Sequence, residues 1–406
     1  MPGGQGYRQL LGMPMPRRLA LASLPADLAD WLDYAAVIAL LVYVNGEGPF
    51  VLAALAVALG LPYVVVGPVL ALWVDRTPLR RVLVLANLGR AVVTLGLVFA
   101  GNSLIVLLLV FLRGCVDSAF TPARQSAIQA TTPPELLSSA NGLHQSINQT
   151  SKIAGPALGG LLLGLAPVQA IFAVNAGLSL LAVLIVLRVQ LPERPRHEGV
   201  AEETLWTRLT AGIGEYRRSR LLLLALIFSS CAYFAFFLYD TLIVLLGKGF
   251  GLNASDFGLS IAASGLGGLF GALLAGRIAA SRPLTAMAGA ALLNGAGSLI
   301  IAIAAMSGLM LPAWAFFGAM ALLGGASGFM MVPYRTVLQQ TAPPDRIARV
   351  FSAGEAVTTV VMLVAPFIGS AIATAWGPPA AFLAGAIVLI ALGAGTFIVA
   401  PRFTSR

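Results

Sequence analysis

Residues 122–135 read PARQSAIQATTPPE, and residues 333–346 read PYRTVLQQTAPPDR. Set side by side they pair Pro122 with Pro333, Arg124 with Arg335 and Gln129 with Gln340 at a constant offset of 211. Downstream, GPALGG from Gly155 meets APFIGS from Ala365 at an offset of 210. The 406-residue chain therefore carries one unit twice, and self-similarity of this kind fixes the architecture before any single motif does.

The composition says where the two copies reside. The chain is 58% hydrophobic and only 10% charged, with a mean hydropathy of +0.90, whereas soluble domains carry roughly 25% charged residues. This is an all-α, multi-pass membrane protein. A span needs about 20 largely apolar residues, and such stretches begin near residues 19, 49, 81, 103, 138, 167, 220, 254, 284, 311, 347 and 379. Each repeat copy follows an even-numbered span, so the two six-helix halves are expected to be parallel repeats, related by a pseudo-two-fold axis along the membrane normal. Alternating the loops places Arg76, Arg80, Arg81, Arg124, Arg194, Arg196, Arg208, Arg217, Arg218, Arg277, Arg282, Arg346 and Arg349 on one side, and little beyond Lys248 on the other. By the positive-inside rule both termini face the cytoplasm of a bacterial-type plasma membrane. The expected organisation is a cytoplasmic segment over 1–18, a bundle over 19–189, a cytoplasmic linker with an amphipathic helix over 190–219, a second bundle over 220–400 and a tail over 401–406.

The same distribution excludes other classes. The formal charge of +9 sits in short loops between apolar runs, which argues against nucleic acid. Cys115 and Cys231 lie within apolar runs and read as buried thiols. The short RRLALAS segment reads as an anchor for an uncleaved first helix, with Arg17 and Arg18 at the surface. A nucleotide motor needs a phosphate loop ending Gly-Lys-Ser/Thr, yet the two lysines are followed by Ile153 and Gly249. No cofactor and no metal is expected, and the chain is expected to act as a monomer with a small-molecule substrate, protons and membrane lipid as its partners.

The chemistry is expected from ionisable groups at membrane depth, where each charge costs about 2.5–3.5 kcal/mol on insertion scales. The first span holds Asp27 and, within LADWLD at residues 28–33, Asp30 and Asp33. Spacing of i, i+3 and i+6 keeps the three on one broad helix face, and Asp30 falls about 18 Å beyond Arg18 at 1.5 Å per residue. Asp117, Asp240 and Glu355 bring the acids to six, against Arg90, Arg113 and Lys152, so three acids are in excess. Carboxylates without fixed partners take protons, water or a cationic ligand. Arg113 and Asp117 form an i, i+4 pair, Arg90 reads as a clamp between helices, and Glu355 is alone in its span. Span five carries a polar stripe of Asn141, His144, Gln145, Asn148, Gln149 and Lys152, expected to line a cavity.

Two stretches carry a family resemblance. ALWVDRTPLRR, residues 71–81, has an Asp-Arg pair followed by further arginines between spans two and three, and GLHQSINQTSKIAGPALGG, residues 142–160, has Gly142, Gly155, Pro156 and Gly159 at the spacing of a fifth-span antiporter motif. Over residues 18–400 the chain resembles the major facilitator superfamily, in particular the drug:H+ antiporter group that includes macrolide-efflux and enterobactin-exporter proteins. Ala71, Pro78 and Ser151 stand where the family pattern has glycines, and the second-half GRIAASRPL lacks the aspartate. The resemblance implies a cytoplasmic latch at Asp75, Arg76, Arg80 and Arg81, and helix bending and packing at Gly142, Gly155, Pro156 and Gly159. It also implies a cavity lined by the first and fourth spans, so that Asp30 meets Arg113. The function it implies is proton-coupled export, by rocker-switch alternating access, of small amphipathic or cationic compounds. Export of siderophores or other metabolites, and lysophospholipid transport, share the fold. From other classes, a non-transporting sensor and, through GASG at 325–328, an intramembrane serine protease built on Ser327 are the readings to separate from it.

Overall fold

A computed structural model describes residues 3–191, 213–278, 282–342 and 347–401, and every described element is helical. Helix α1 (Gly3–Gly12) precedes α2 (Pro14–Ala39), which ends in a wide π-turn over Leu40–Val44. There follow α3 (Pro49–Val65), α4 (Gly67–Arg76), α5 (Leu79–Val98), α6 (Ser103–Thr131), α7 (Leu137–Leu165) and α8 (Val168–Val186). The second half comprises α9 (Arg220–Phe237), the short α10 (Ile243–Gly249), α11 (Ala254–Ile278), α12 (Pro283–Met306), α13 (Ala313–Thr341), α14 (Ile347–Trp376) and α15 (Pro378–Val399). The expected linker helix lies largely outside the described residues, apart from a helical segment at 213–218.

Local chemistry sets several of these ends. The Asn102 side chain accepts a hydrogen bond from Ile105 N–H at 3.0 Å and starts α6, and Ser219 does the same for Leu222 N–H at 3.3 Å at the head of α9. Pro14, Pro283 and Pro378 open their helices, where the missing N–H has no partner to lose. Pro122 and Pro333 instead lie inside α6 and α13 without ending them. In a bundle, neighbouring helices tolerate the freed carbonyl.

Among the described residues nine segments are long and apolar enough to cross a bilayer. The other three expected spans depart from that standard for separate reasons. The second is broken at Val66 into α3 and α4. The first, α2, carries the three aspartates, and the fifth, α7, carries the polar stripe. Helices this polar at such depth need protein or water around them.

The chain divides into two compact units: Met1–Glu47 with Val57–Glu198 and Phe257–Ala262, and Gly48–Ala56 with Gly199–Asp256 and Ala263–Arg406. In the first, α2 packs against α7 and α8, and α5 against α6 and α8; in the second, α12 packs against α13 and α15, and α9 against α14 and α15. The repeated glycines recur in the packing. A Cβ on Gly159 of α7 would stand 2.6 Å from the carbonyl oxygen of Leu32, and one on Gly369 of α14 would collide with that of Leu238. In each unit a glycine at the matching repeat position lets the fifth helix touch the backbone of the first.

Candidate functional site

The site is built on α2, at the level where α7 comes closest. A Cβ on Gly155 would meet Trp31 Cβ at 2.6 Å and the Trp31 carbonyl carbon at 2.7 Å, so only glycine allows this approach. Held in this way, α2 directs its aspartates toward α5 and α6. Asp30 lies between two guanidinium groups, 3.2 Å from Arg90 Nη2 and 3.3 Å from Arg113 Nη2. Arg90 also binds Asp117 through Nε, and Arg113 Nε lies 3.8 Å from the other Asp117 oxygen. Asp30, Arg90, Asp117 and Arg113 thus close a ring of alternating charge across three helices.

Two further carboxylates join the ring. Asp33 pairs with Arg113 Nη1, and Asp27, fully buried, pairs with Arg124 Nη1. The guanidinium groups of Arg90 and Arg124 lie 3.9 and 5.2 Å from the centroid of the Phe120 ring, which replaces part of their lost hydration. Asn175 of α8 donates to Ala29 O at 2.7 Å, and Arg113 Nη2 donates to the same carbonyl at 3.3 Å, so both fix α2 one residue before Asp30. Four carboxylates face three guanidinium groups, and one negative charge is left over. Water reaches the members unequally: the side chain of Asp30 is 24% exposed and that of Asp117 13%, while Asp33 and Asp27 are at 2% and 0%.

Several expectations change against this geometry. Arg124, assigned from sequence to a cytoplasmic loop, belongs to α6 and joins the network, because the helix continues through Pro122 to Thr131. Asp240 and Glu355 belong to the second unit and take no part in the network. The first unit then sets four acids against Arg90, Arg113, Arg124 and Lys152, so the excess of three disappears, and with it the reason to favour cationic substrates; within the network itself, which Lys152 does not join, one acid remains in excess. Arg90 is more than a clamp, since it closes the ring. The expected stripe on α7 splits: His144 turns inward, its Nδ1 3.0 Å from Ser23 Oγ, on the buried row it shares with Ile147 and Ser151. Gln145, Gln149 and Lys152 are exposed and Asn148 half-exposed, as one residue of separation turns a helix by about 100°.

The remaining expected residues have other surroundings. Lys152 Nζ stands 5.1 Å from the centroid of Trp31. Gly142 faces the Tyr7 hydroxyl of α1, which a Cβ there would approach to 2.7 Å. In the latch segment Arg80 donates to Leu187 O at the end of α8, Arg76 and Arg81 are exposed, and the side chain of Asp75 lies outside the described residues. Cys115 and Cys231 are free thiols and half-buried rather than buried.

The second unit holds a network that sequence reading missed. Tyr239 Oη donates to Asn294 Oδ1 at 3.0 Å, Ser298 Oγ to Tyr239 Oη at 3.2 Å, and Asn294 Nδ2 to Leu323 O at 3.1 Å and Ser327 Oγ at 2.9 Å. Tyr239 also stacks on Phe382 at 4.5 Å. Ser327, the serine of GASG, is therefore engaged by an asparagine, and the second unit contains no histidine to activate it.

A profile of the Major Facilitator Superfamily matches residues 19–357. The chain belongs to this superfamily. It is 28% identical over 383 residues to the MFS-type transporter YfiS of Bacillus subtilis (strain 168), covering 92% of this chain and 90% of that one. It is 24% identical over 314 residues to macrolide efflux protein A of Enterococcus faecalis, covering 74% and 94%. Among solved structures, the nucleoside transporter NupG superposes with a TM-score of 0.74 at 12% identity, covering 95% and 99%. A bacterial homolog of the human lysosomal transporter Spinster, inward-facing and unoccupied, superposes with a TM-score of 0.69 at 14% identity, covering 96% of each. The superfamily's twelve-helix fold accounts for the helix order, and the chain is a multi-pass membrane transporter.

Proposed function

We propose that this transporter exports amphipathic organic compounds by alternating access, driven by protons that bind the acid–arginine network of the first unit. The observation that carries the reading is the charge balance: four carboxylates and three guanidinium groups enclose one uncompensated negative charge at membrane depth. A lone charge there is expensive, and one proton removes it. Asp30 is the point of entry, because it is the carboxylate most open to water and bridges both ring arginines. Protonating it weakens its ties to Arg90 and Arg113 together, so occupancy by a proton alters how α2 is held against α5 and α6. The similarity to macrolide efflux protein A supports the outward direction and a bulky, partly apolar cargo. One charge crossing 100 mV releases about 2.3 kcal/mol, enough to drive a useful gradient.

The test is transport in proteoliposomes containing a pH-sensitive dye, with a fluorescent amphipath as cargo and an imposed pH gradient. Wild-type protein is expected to move the cargo faster with the gradient and to dissipate that gradient as it does so. Asp30→Asn should still bind cargo and exchange it across the membrane, yet ignore the gradient. Wild-type transport indifferent to the gradient would rule out proton coupling.

A further inference from the structure

Lys152 stands in the middle of α7, fifteen residues after Leu137 and thirteen before Leu165, about 20 Å from either end at 1.5 Å per residue. It is exposed there, although Ser151 beside it is buried. Facing lipid at this depth would cost about 2.5–3.5 kcal/mol, and a lysine stem of four methylenes is far too short to snorkel to either surface. Gln145 and Gln149 lie on the same exposed face one and two turns earlier. A face with this composition is wetted.

The ammonium group is also uncommitted. Among the described residues it makes no ion pair, because each aspartate of the first unit's interior is held by Arg90, Arg113 or Arg124. Its neighbour is the indole of Trp31, 5.1 Å away, which also approaches Tyr34 edge-on at 6.4 Å. An indole holds the ammonium in place and leaves its donors available, and with Tyr34 it offers an apolar surface beside the charge.

We infer that Lys152 is a specificity residue that recognises the anionic group of an amphipathic substrate, a carboxylate, sulfonate or phosphate ester, while Trp31 and Tyr34 receive the adjoining apolar portion. The inference rests on the transport reading above and supplies its substrate class. It follows from where the contacts lie: each aspartate of the network touches an arginine, whereas Lys152 makes no ion pair among the described residues, so the unpaired group on the exposed face of α7 is a cation. A cationic cargo would meet Lys152 as a like charge.

The test is equilibrium binding to purified protein in a neutral detergent without any gradient, so that it stands or falls separately from proton coupling. Two dyes with one fluorophore are compared, N-dansyl-6-aminohexanoate, an anion, and dansylcadaverine, a cation. The wild type is expected to bind the anion about tenfold tighter, the size of one charge-assisted hydrogen bond. Lys152→Met should erase that preference by weakening the anion alone, and Lys152→Arg should keep it. Displacement of the bound anion by lysophosphatidylglycerol would identify a lipid headgroup as the source, and displacement by decanoate alone a free organic anion. The inference is overturned if the wild type prefers the cation or binds neither dye, if neither competitor displaces the anion, or if Lys152→Met weakens both dyes equally. The wild-type comparison needs no variant, so it can refute the inference even where Lys152→Met folds poorly.

Discussion

The two units cross-link the same three helices in different chemical terms. In the first, Asp30, Arg90 and Asp117 join α2, α5 and α6. In the second, Tyr239, Asn294 and Ser327 join the end of α9 to α12 and α13. The positions correspond through the repeat: 294 lies 204 after 90 and 327 lies 210 after 117, the offsets at which α12 begins after α5 and α13 after α6. Residue 239 lies 206 after Asp33, one helical turn past Asp30, and 206 is also the offset between Leu32 and Leu238 at the packed glycines. Neutral hydrogen bonds of 3.0 and 2.9 Å do in one unit what ion pairs do in the other. Holding these helices together therefore does not require charge. Buried ion pairs are poor sources of stability compared with neutral packing, which agrees with the proposal that the charges of the first unit serve a proton rather than the fold.

The largest expected effect comes from breaking the charged side alone. Arg113→Met leaves the buried Asp33 without its counter-ion, and loss of one partner of a buried pair costs about 3–5 kcal/mol. The measurement is thermal unfolding in detergent, and a midpoint equal to wild type would mean that Asp33 is already neutral. A sharper form of the comparison rebuilds the first unit in the image of the second. Arg90→Asn alone should destabilise strongly, whereas Arg90→Asn with Asp117→Ser should recover most of the loss, because no orphaned charge remains on that edge of the ring. A double variant as unstable as the single one would show that charge is structural after all. The smallest effect belongs to the neutral network: Tyr239→Phe removes one hydroxyl and should cost about 1 kcal/mol, with gradient-driven transport intact.

The fold was legible because apolar length and repeat offset are coarse signals that tertiary context does not override. Ten of the twelve expected starts fall on described helices, Ser103 and Arg220 coinciding with helix starts, while those at 167 and 311 fall one and two residues before Val168 and Ala313, and the first helix already begins at Pro14. The acid face of α2 was legible from spacing. Arg124 was not, since Pro122 two residues earlier reads as the end of a helix and a bundle tolerates it inside one. The repeat offers the missing signal, as Arg335 at the matching position also follows a proline within α13. The neutral network went unseen because tyrosine, asparagine and serine carry no charge to attract notice. Carrying Arg90 and Asp117 forward by the local offsets leads to Asn294 and Ser327. His144 was misplaced because polarity alone does not tell the buried row of α7 from the exposed one.

The central claim is that the first unit's network takes up a proton from water through Asp30 while its neutral counterpart does not. Infrared difference spectra of purified protein between acidic and alkaline buffer, read at the carboxylic-acid carbonyl stretch, test this most directly. A protonation band present in the wild type and in Tyr239→Phe, and lost in Asp30→Asn, is the predicted result. A band unchanged by Asp30→Asn would contradict the account.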